Sequence, residues 1–351
     1  MSHRPRVGFW TPILYRAGGT ETWHETLLSH LHPDRVELVG LAVEKPDEFD
    51  PVMAAKIRRV CPVEAGPEAM TSLALRCDVL VFWGLAQPAK YLPSGERRPF
   101  VIGVSHGDGS SAFSRDVMRL ANPDVDAFVA VSRAALGGIP ELRREAAVII
   151  PNGIDPSRLE PKIDRAEQRR RWGVREDAKV LGYLGRISEE KNYRALAEAV
   201  RWLPPPWVGV LVGDGTEMRD AQAHAFARAS TRVYFPGCVV PSEVGSALHA
   251  FDVLLVPSHE EGFGQSIAEG WLAGVPVVST PVGIARDHPE WIWALPPNPE
   301  GPEIAREVQW ADRQRHALPR IADEAAEYYG AAIMARRWEA LLCGARKCVP
   351  I

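Results

Sequence analysis

A chain of 351 residues exceeds what one hydrophobic core usually fills, so two domains with a cleft between them are expected. Hydrophobic residues at 46% and charged ones at 25% are ordinary for a soluble globular protein and exclude wholesale disorder. The formal charge of −4 offers no global attraction for nucleic acid or anionic lipid, so small neutral or locally recognised anionic ligands fit better. Five cysteines are scattered without Cys-x-x-Cys spacing, which argues against a disulfide framework or a structural zinc and for a cytoplasmic setting.

In chain order, "RVGFW" (Arg6 to Trp10) reads as a buried strand. "GGTETWHETLLSHL" reads as a glycine loop feeding a helix capped by Thr20 or Thr22. The start shows no signal-peptide pattern, and no apolar run reaches the roughly 18 residues of a spanning helix. The runs "VELVGLAV", "CDVLVFWG", "PFVIGVS", "DAFVAVS" and "AAVII" are rich in β-branched residues and alternate with helical or turn-rich segments, which predicts a doubly wound parallel sheet. "IIPNGIDPSRL" punctuates that series, and the helix-like "DRAEQRRRWGV" follows. Its basic stretch Arg165 to Trp172 is either a solvated helix face or a weak peripheral membrane contact.

A second alternation then runs "KVLGYLG", "NYRALAEAVRWL", "WVGVLVGDG", "MRDAQAHAFARA", "VYFPG", "SEVGSALHAF", "DVLLVPS", "QSIAEGWLAG" and "VPVVST". "WIWALPPNPEGPE" reads as loops, and one helix, "EAAEYYGAAIMARRWEALLCGARK", closes the chain. The expected division is 1–153 for an N-terminal Rossmann-like domain, 154–325 for a second one, and 326–351 for a C-terminal helix returning to the first.

Ligands of such sheets lie beyond the carboxyl ends of the strands. "GGTE" (Gly18 to Glu21) opens a helix whose free N–H groups and dipole suit a phosphate, or it is a glycine-rich cap. "GRISEEKN" brings Arg186 and Lys191 beside one another, a fork and a point charge suited to a diphosphate. "VGDGTE" has two glycines without the third of a dinucleotide fingerprint, so a tight turn explains it equally well. In "HEEGFGQSIAEGWLAG", Glu261 precedes a glycine turn and Glu269 lies two helical turns later, so the two cannot share one role on a helix. Among loop-edge aromatics, Trp10, Tyr15, Trp23 and Trp83 are candidates to stack on the flat or apolar face of a ligand, or to pack in the core.

These loops together resemble the retaining GT-B glycosyltransferases of the large family 4 group. Its Glu-x7-Glu motif is matched by Glu261 and Glu269, its diphosphate Arg and Lys by Arg186 and Lys191, and its interdomain "NGID" by Asn152 to Asp155. "SHGDG" (Ser105 to Gly109) resembles its acceptor-domain His-Gly loop, and "GGTE" its first phosphate loop. The resemblance implies two Rossmann-like α/β domains facing a central cleft. It implies transfer of a sugar, with retention and without metal or other cofactor, from a nucleoside diphosphate sugar, most often UDP-linked, to a hydroxyl of a glycan, lipid or natural product.

Carried onto matching positions, it makes His106, Arg186, Lys191 and Glu261 the catalytic set. Glu269 would accept the ribose hydroxyls, and Glu261 would lie against the donor sugar. The donor would also meet Gly18, Gly19, Thr20, Gly185, Gly213, Gly215, Cys238, Gly262, Phe263, Gly264, Gln265 and Ser266, with Gly19 closing over the diphosphate. Tyr15, Trp83 and Asp108 are the acceptor-side candidates, although Asp108 serves equally well as a turn cap and His106 as a packed, hydrogen-bonded residue. The chain departs from the family after Gly283, where Ile284, Ala285 and Arg286 replace a second glycine and an acidic residue. A nucleotide-sugar epimerase or hydrolase, and a non-catalytic sugar-nucleotide binder, are the alternatives on the same architecture.

Overall fold

The structure, a computed structural model, describes residues 4–15, 18–83, 90–93, 98–110, 122–229 and 231–345. It contains two compact units, one ending at Gly153 and resuming at Tyr329, the other running from Ile154 to Tyr328.

In the first unit, β1 (Arg6–Thr11), β2 (Glu37–Val43), β3 (Val63–Ala65), β4 (Val79–Trp83), β5 (Phe100–Ser105), β6 (Ala127–Ala130) and β7 (Val148–Ile149) form one parallel sheet ordered β3-β2-β1-β4-β5-β6-β7. The central strands β1, β4 and β5 are buried almost throughout, which is why they read as continuous apolar runs rather than alternating ones. Helices α1 (Gly19–His30), α2 (Pro51–Ile57) and α3 (Pro67–Arg76) connect them. The expected threonine cap of α1 is not formed: Gly18 is the N-cap, and Thr20 and Thr22 already lie within the helix. Thr22 is committed to the buried face, and the nearby carboxylate of Glu21 accepts the Tyr15 N–H at 3.2 Å instead.

The second unit has β8 (Lys179–Leu184), β9 (Trp207–Val212), β10 (Val233–Gly237), β11 (Val253–Val256), β12 (Val277–Ser279) and β13 (Trp293–Ala294), all parallel, in the order β10-β9-β8-β11-β12-β13. Around them lie α4 (Arg165–Arg171), α5 (Arg194–Trp202), α6 (Met218–Ala229), α7 (Val244–Ala250), α8 (Gln265–Leu272), α9 (Gly301–Arg313) and α10 (Leu318–Tyr329). Its core joins Leu181 and Leu211 of the sheet to Leu196 and Val200 of α5 and Ile304 and Val308 of α9.

Two expectations are corrected here. "WIWALPPNPEGPE" is not only loop: Trp293 and Ala294 add an edge strand beside Val278 and Ser279, and α9 starts at Gly301 with a capping box of Glu300 and Glu303. The closing helix is two, α10 and α11 (Ala331–Ala345), broken at Gly330. Glycine is a poor helix interior, and the break falls where the chain passes from one compact unit to the other.

The basic run of α4 is engaged by the unit's own carboxylates. Arg165 and Arg169 reach the buried Asp252 at 2.6 and 2.8 Å, while Arg170 and Arg171 pair with Glu167 at 2.6 and 3.0 Å. Among the described residues, no helix is long and apolar enough to cross a membrane.

Candidate active site

The second sheet is built outward from β8, first through β9 and β10 and then, on the other side, through β11, β12 and β13. Connections therefore diverge between β8 and β11, and the crevice above that switch point is where open α/β sheets bind ligands. The loop after β8 carries Gly185, Arg186 and Lys191; the loop after β11 carries Glu261 to Gly264. They meet across the switch point: Lys191 Nζ lies 2.7 Å from Glu261 Oε2, and His259 N–H donates to the Glu190 carbonyl at 2.9 Å. Asn192, in the left-handed region at φ 49°, ends the turn that presents Lys191.

Neither Glu261 oxygen is idle, because Oε1 accepts the Ser258 hydroxyl at 3.0 Å. Arg186 is exposed and pairs with Glu190 at 3.2 Å, while its carbonyl accepts the buried Tyr183 hydroxyl at 2.6 Å. Burial, followed by the charges of Glu261 and Glu190, pushes the Tyr183 hydroxyl pKa up, so it remains a proton donor.

The glycines at these loops have a packing reason besides any ligand. A Cβ on Gly213 would stand 1.8 Å from the Gly185 carbonyl oxygen, and one on Gly215 would stand 2.1 Å from that of Ile187. Backbone bonds from Gly185 to Val212 and from Ile187 to Asp214 hold the loops after β8 and β9 together. Exposed Cys238 follows β10 directly; partial burial and then the charge of Asp214 raise its thiol pKa.

Gly264, at φ +91°, is the N-cap of α8 and supplies no side-chain cap, so the first-turn amides of Gln265 and Ser266 open toward the carboxyl end of the sheet. Phe263 turns its ring into the core, and its carbonyl accepts the Ile284 N–H at 2.8 Å. The departure after Gly283 is thus a short turn packed on the Glu261 loop: Ile284 and Ala285 are buried, and only Arg286 is exposed, its Nε bonded to the Pro281 carbonyl at 2.6 Å.

Glu269, on α8, is 6% exposed and, among the described residues, accepts a single 3.3 Å side-chain bond, from Gln265 Nε2. Burial pushes its pKa up, opposed by the charge of Arg158 and by Gln265. The two glutamates therefore sit in different surroundings, Glu261 with a partner on each oxygen, Lys191 and Ser258, and Glu269 desolvated and weakly paired.

In the first unit, His106 follows β5 and packs edge-on against Trp23 at 5.0 Å and Trp83 at 5.7 Å. Its Nε2 and that of His24 are buried without a hydrogen-bond partner among the described residues. Burial lowers the two pKa values to about 3 and about 4, which keeps both imidazoles neutral. Trp10 and Trp23 are wholly buried and belong to the core.

Asp108 caps its own turn, accepting Ser110 N–H at 2.9 Å and the Ser110 hydroxyl at 2.5 Å. Tyr15 is exposed with its hydroxyl bonded to Glu48. The α1 start, where Gly18, Gly19 and Thr20 were expected to receive phosphate, already holds the buried carboxylate of Glu21, its pKa raised by burial against the backbone N–H groups of Glu21 and Tyr15. Sequence reasoning missed Glu21, Ser258 and Glu190; the sign for Ser258 was its place just after a strand, three residues before Glu261. Among the described residues, no group of three or more His, Cys, Asp or Glu side chains is gathered as a metal site.

Residues 178–311 match the family of glycosyl transferases group 1. The chain is 36% identical over 141 residues to the 2-deoxystreptamine glucosyltransferase of Streptomyces kanamyceticus, covering 38% of this chain and 36% of that protein. It is 34% identical over 154 residues to the D-inositol 3-phosphate glycosyltransferase of Kineococcus radiotolerans, covering 40% and 35%. The chain thus spans about a third of the length of these curated relatives.

The crystal structure of Anabaena Alr3699/HepE, solved with UDP and glucose, superposes with a TM-score of 0.80 at 19% identity over 97% of this chain and 100% of that one. The fold is GT-B.

Proposed function

We propose that the chain is a glycosyltransferase that moves a sugar, with retention and without a metal, from a UDP-linked donor to an acceptor hydroxyl. The observation that carries this reading is the Lys191–Glu261 pair, 2.7 Å apart over the switch point of a group 1 glycosyl transferase domain. The relatives named above are glycosyltransferases, and the Anabaena structure was solved with UDP and glucose.

Breaking the bond to the anomeric carbon builds charge on the leaving diphosphate. Lys191, Arg186 and the first-turn amides of α8 are the groups that stabilise it, and one preorganised donor of this kind commonly contributes about 3 kcal/mol in the transition state. The departing phosphate serves as base for the acceptor hydroxyl, which arrives on the face it leaves. Glu269, ionised, takes the ribose hydroxyls, because a carboxylate has only acceptor oxygens to offer. The hydroxyls then add partners to a carboxylate that, among the described residues, accepts one 3.3 Å bond from Gln265. The first unit, with neutral His106, is read as the acceptor-binding one.

The test is incubation of the protein with UDP-glucose, UDP-galactose and UDP-N-acetylglucosamine, alone and with glycan, aminocyclitol and lipid acceptors, followed by mass spectrometry and by anomeric assignment of any product. Acceptor-dependent transfer with retained configuration is the expected result. Conversion of the donor equally well without acceptor points to an epimerase or hydrolase, and UDP binding with no turnover over the whole panel points to a non-catalytic binder; either removes the proposal.

A further inference from the structure

Ser258 follows β11 at Pro257 and is 2% exposed; its hydroxyl donates to Glu261 Oε1 at 3.0 Å. Its carbonyl in turn accepts the hydroxyl of Thr280 at 2.6 Å, and Thr280, directly after β12, is fully buried. A continuous chain of bonds thus runs from the ends of two adjacent strands through Ser258 and Glu261 to Lys191.

A carboxylate whose sole partner is a lysine has no fixed direction, since the ammonium is a point charge on a four-carbon stem with rotatable donors. A hydroxyl anchored to the sheet gives it one. The bond to Ser258 uses Oε1 and leaves Oε2 for Lys191. We propose that Ser258, seated by Thr280, is a positioning residue that holds Glu261 in place while Lys191 passes from Glu261 to the donor diphosphate. This rests on the functional reading above: diphosphate takes the ammonium, and Glu261 Oε2 is freed to accept a sugar hydroxyl without the side chain swinging after the lysine.

The experiment compares Ser258→Ala, Thr280→Val and Thr280→Ser with the wild-type chain. Crystal structures are solved without ligand and with UDP, and kcat, KM for UDP-sugar and melting temperature are measured in parallel. In Ser258→Ala the Glu261 carboxylate is expected to turn both oxygens onto Lys191. Its kcat falls by about tenfold to a hundredfold, the range of a lost hydrogen bond to a charged group, while KM changes little. Thr280→Val shows a smaller fall in kcat, and Thr280→Ser, which keeps the hydroxyl, stays close to wild type. The proposal is overturned if Glu261 keeps its rotamer and its distance to Lys191 in Ser258→Ala, or if kcat is unchanged there. Equal losses in Thr280→Val and Thr280→Ser, following melting temperature rather than the hydroxyl, count against it too. Absence of UDP binding and turnover in the wild type removes the functional reading instead, and the crystal structures without ligand still decide whether Ser258 fixes Glu261.

Discussion

Replacing Lys191 by methionine keeps the aliphatic stem and removes the charge. Glu261, its side chain 11% exposed, then keeps the Ser258 hydroxyl as its one side-chain partner among the described residues. Stripping one partner from a fully buried ion pair costs about 3–5 kcal/mol, because the other charge stays desolvated. Lys191 itself is 22% exposed and Ser258 continues to donate, so roughly half of that, about 2 kcal/mol, is expected in unfolding free energy. Turnover should fall further, by about 100-fold, the loss expected for one preorganised donor on the leaving group. Glu261→Gln on the same background separates the two effects. A neutral amide needs no counter-charge, so the double variant should recover about 1 kcal/mol or more of the lost stability and none of the turnover. Denaturant unfolding of the full chain and steady-state UDP-sugar kinetics measure both. If Lys191→Met is as stable as wild type, or the double variant is no more stable than the single one, the pair is not the desolvated contact described. An unchanged kcat in Lys191→Met would falsify the role given to the ammonium.

Glu269 makes a prediction with a defined sign. Its folded pKa is raised, so the folded state holds the proton more tightly than the unfolded one and stability declines as pH climbs from about 4.5 through the raised value. Glu269→Gln should flatten that slope and match or exceed wild-type melting temperature at pH 7, while weakening UDP; calorimetry showing wild-type UDP affinity in the variant would count against ribose recognition. UDP affinity in the wild type should fall as pH drops through the same range, since the ribose hydroxyls bind the ionised form. The neutral histidines act in the opposite direction. With His24 and His106 lowered to about 4 and about 3, the unfolded state binds protons first, and stability is lost progressively as pH falls below about 6.5. His24→Gln should shrink that acid loss, and melting curves of equal pH dependence would refute the neutral assignment. Asp252 carries a purely structural prediction: Asp252→Asn leaves Arg169, 4% exposed in its side chain, without its counter-charge, and about 3 kcal/mol of stability should go with it. Urea unfolding within 1 kcal/mol of wild type, about the worth of one ordinary hydrogen bond, would contradict that account.

The central strands were legible because parallel strands covered on both faces must be apolar along their whole length, as Val79 to Phe82 and Val253 to Val256 are. The short edge strands Val63–Ala65 and Trp293–Ala294 carry no such run, since an edge strand of two or three residues is specified by its neighbour's backbone rather than by its own side chains. Helix α9 hid behind the prolines of "PNPEGPE", although Pro302 in the first turn with Glu300 and Glu303 boxed around it is the signature of a helix start. Lys191 and Glu261 could each be singled out by a glycine-bearing loop after a strand, but nothing in one dimension says that two loops 70 residues apart face each other. That follows only from strand order, which sets β8 beside β11 and points both loops out of the same end of the sheet. Glu21 and Ser258 stayed invisible for a related reason. A carboxylate in a first helical turn and a serine after a strand are ordinary residues, and what distinguishes them is burial against a specific partner, Tyr15 N–H for one and Glu261 for the other. The glycines illustrate the converse: Gly213 and Gly215 were legible as special, yet the carbonyl oxygens of Gly185 and Ile187 already leave no room for a Cβ, so a phosphate is not needed to explain them. A residue type can thus be read from one chain segment, whereas its role belongs to the pair of segments that the sheet brings together.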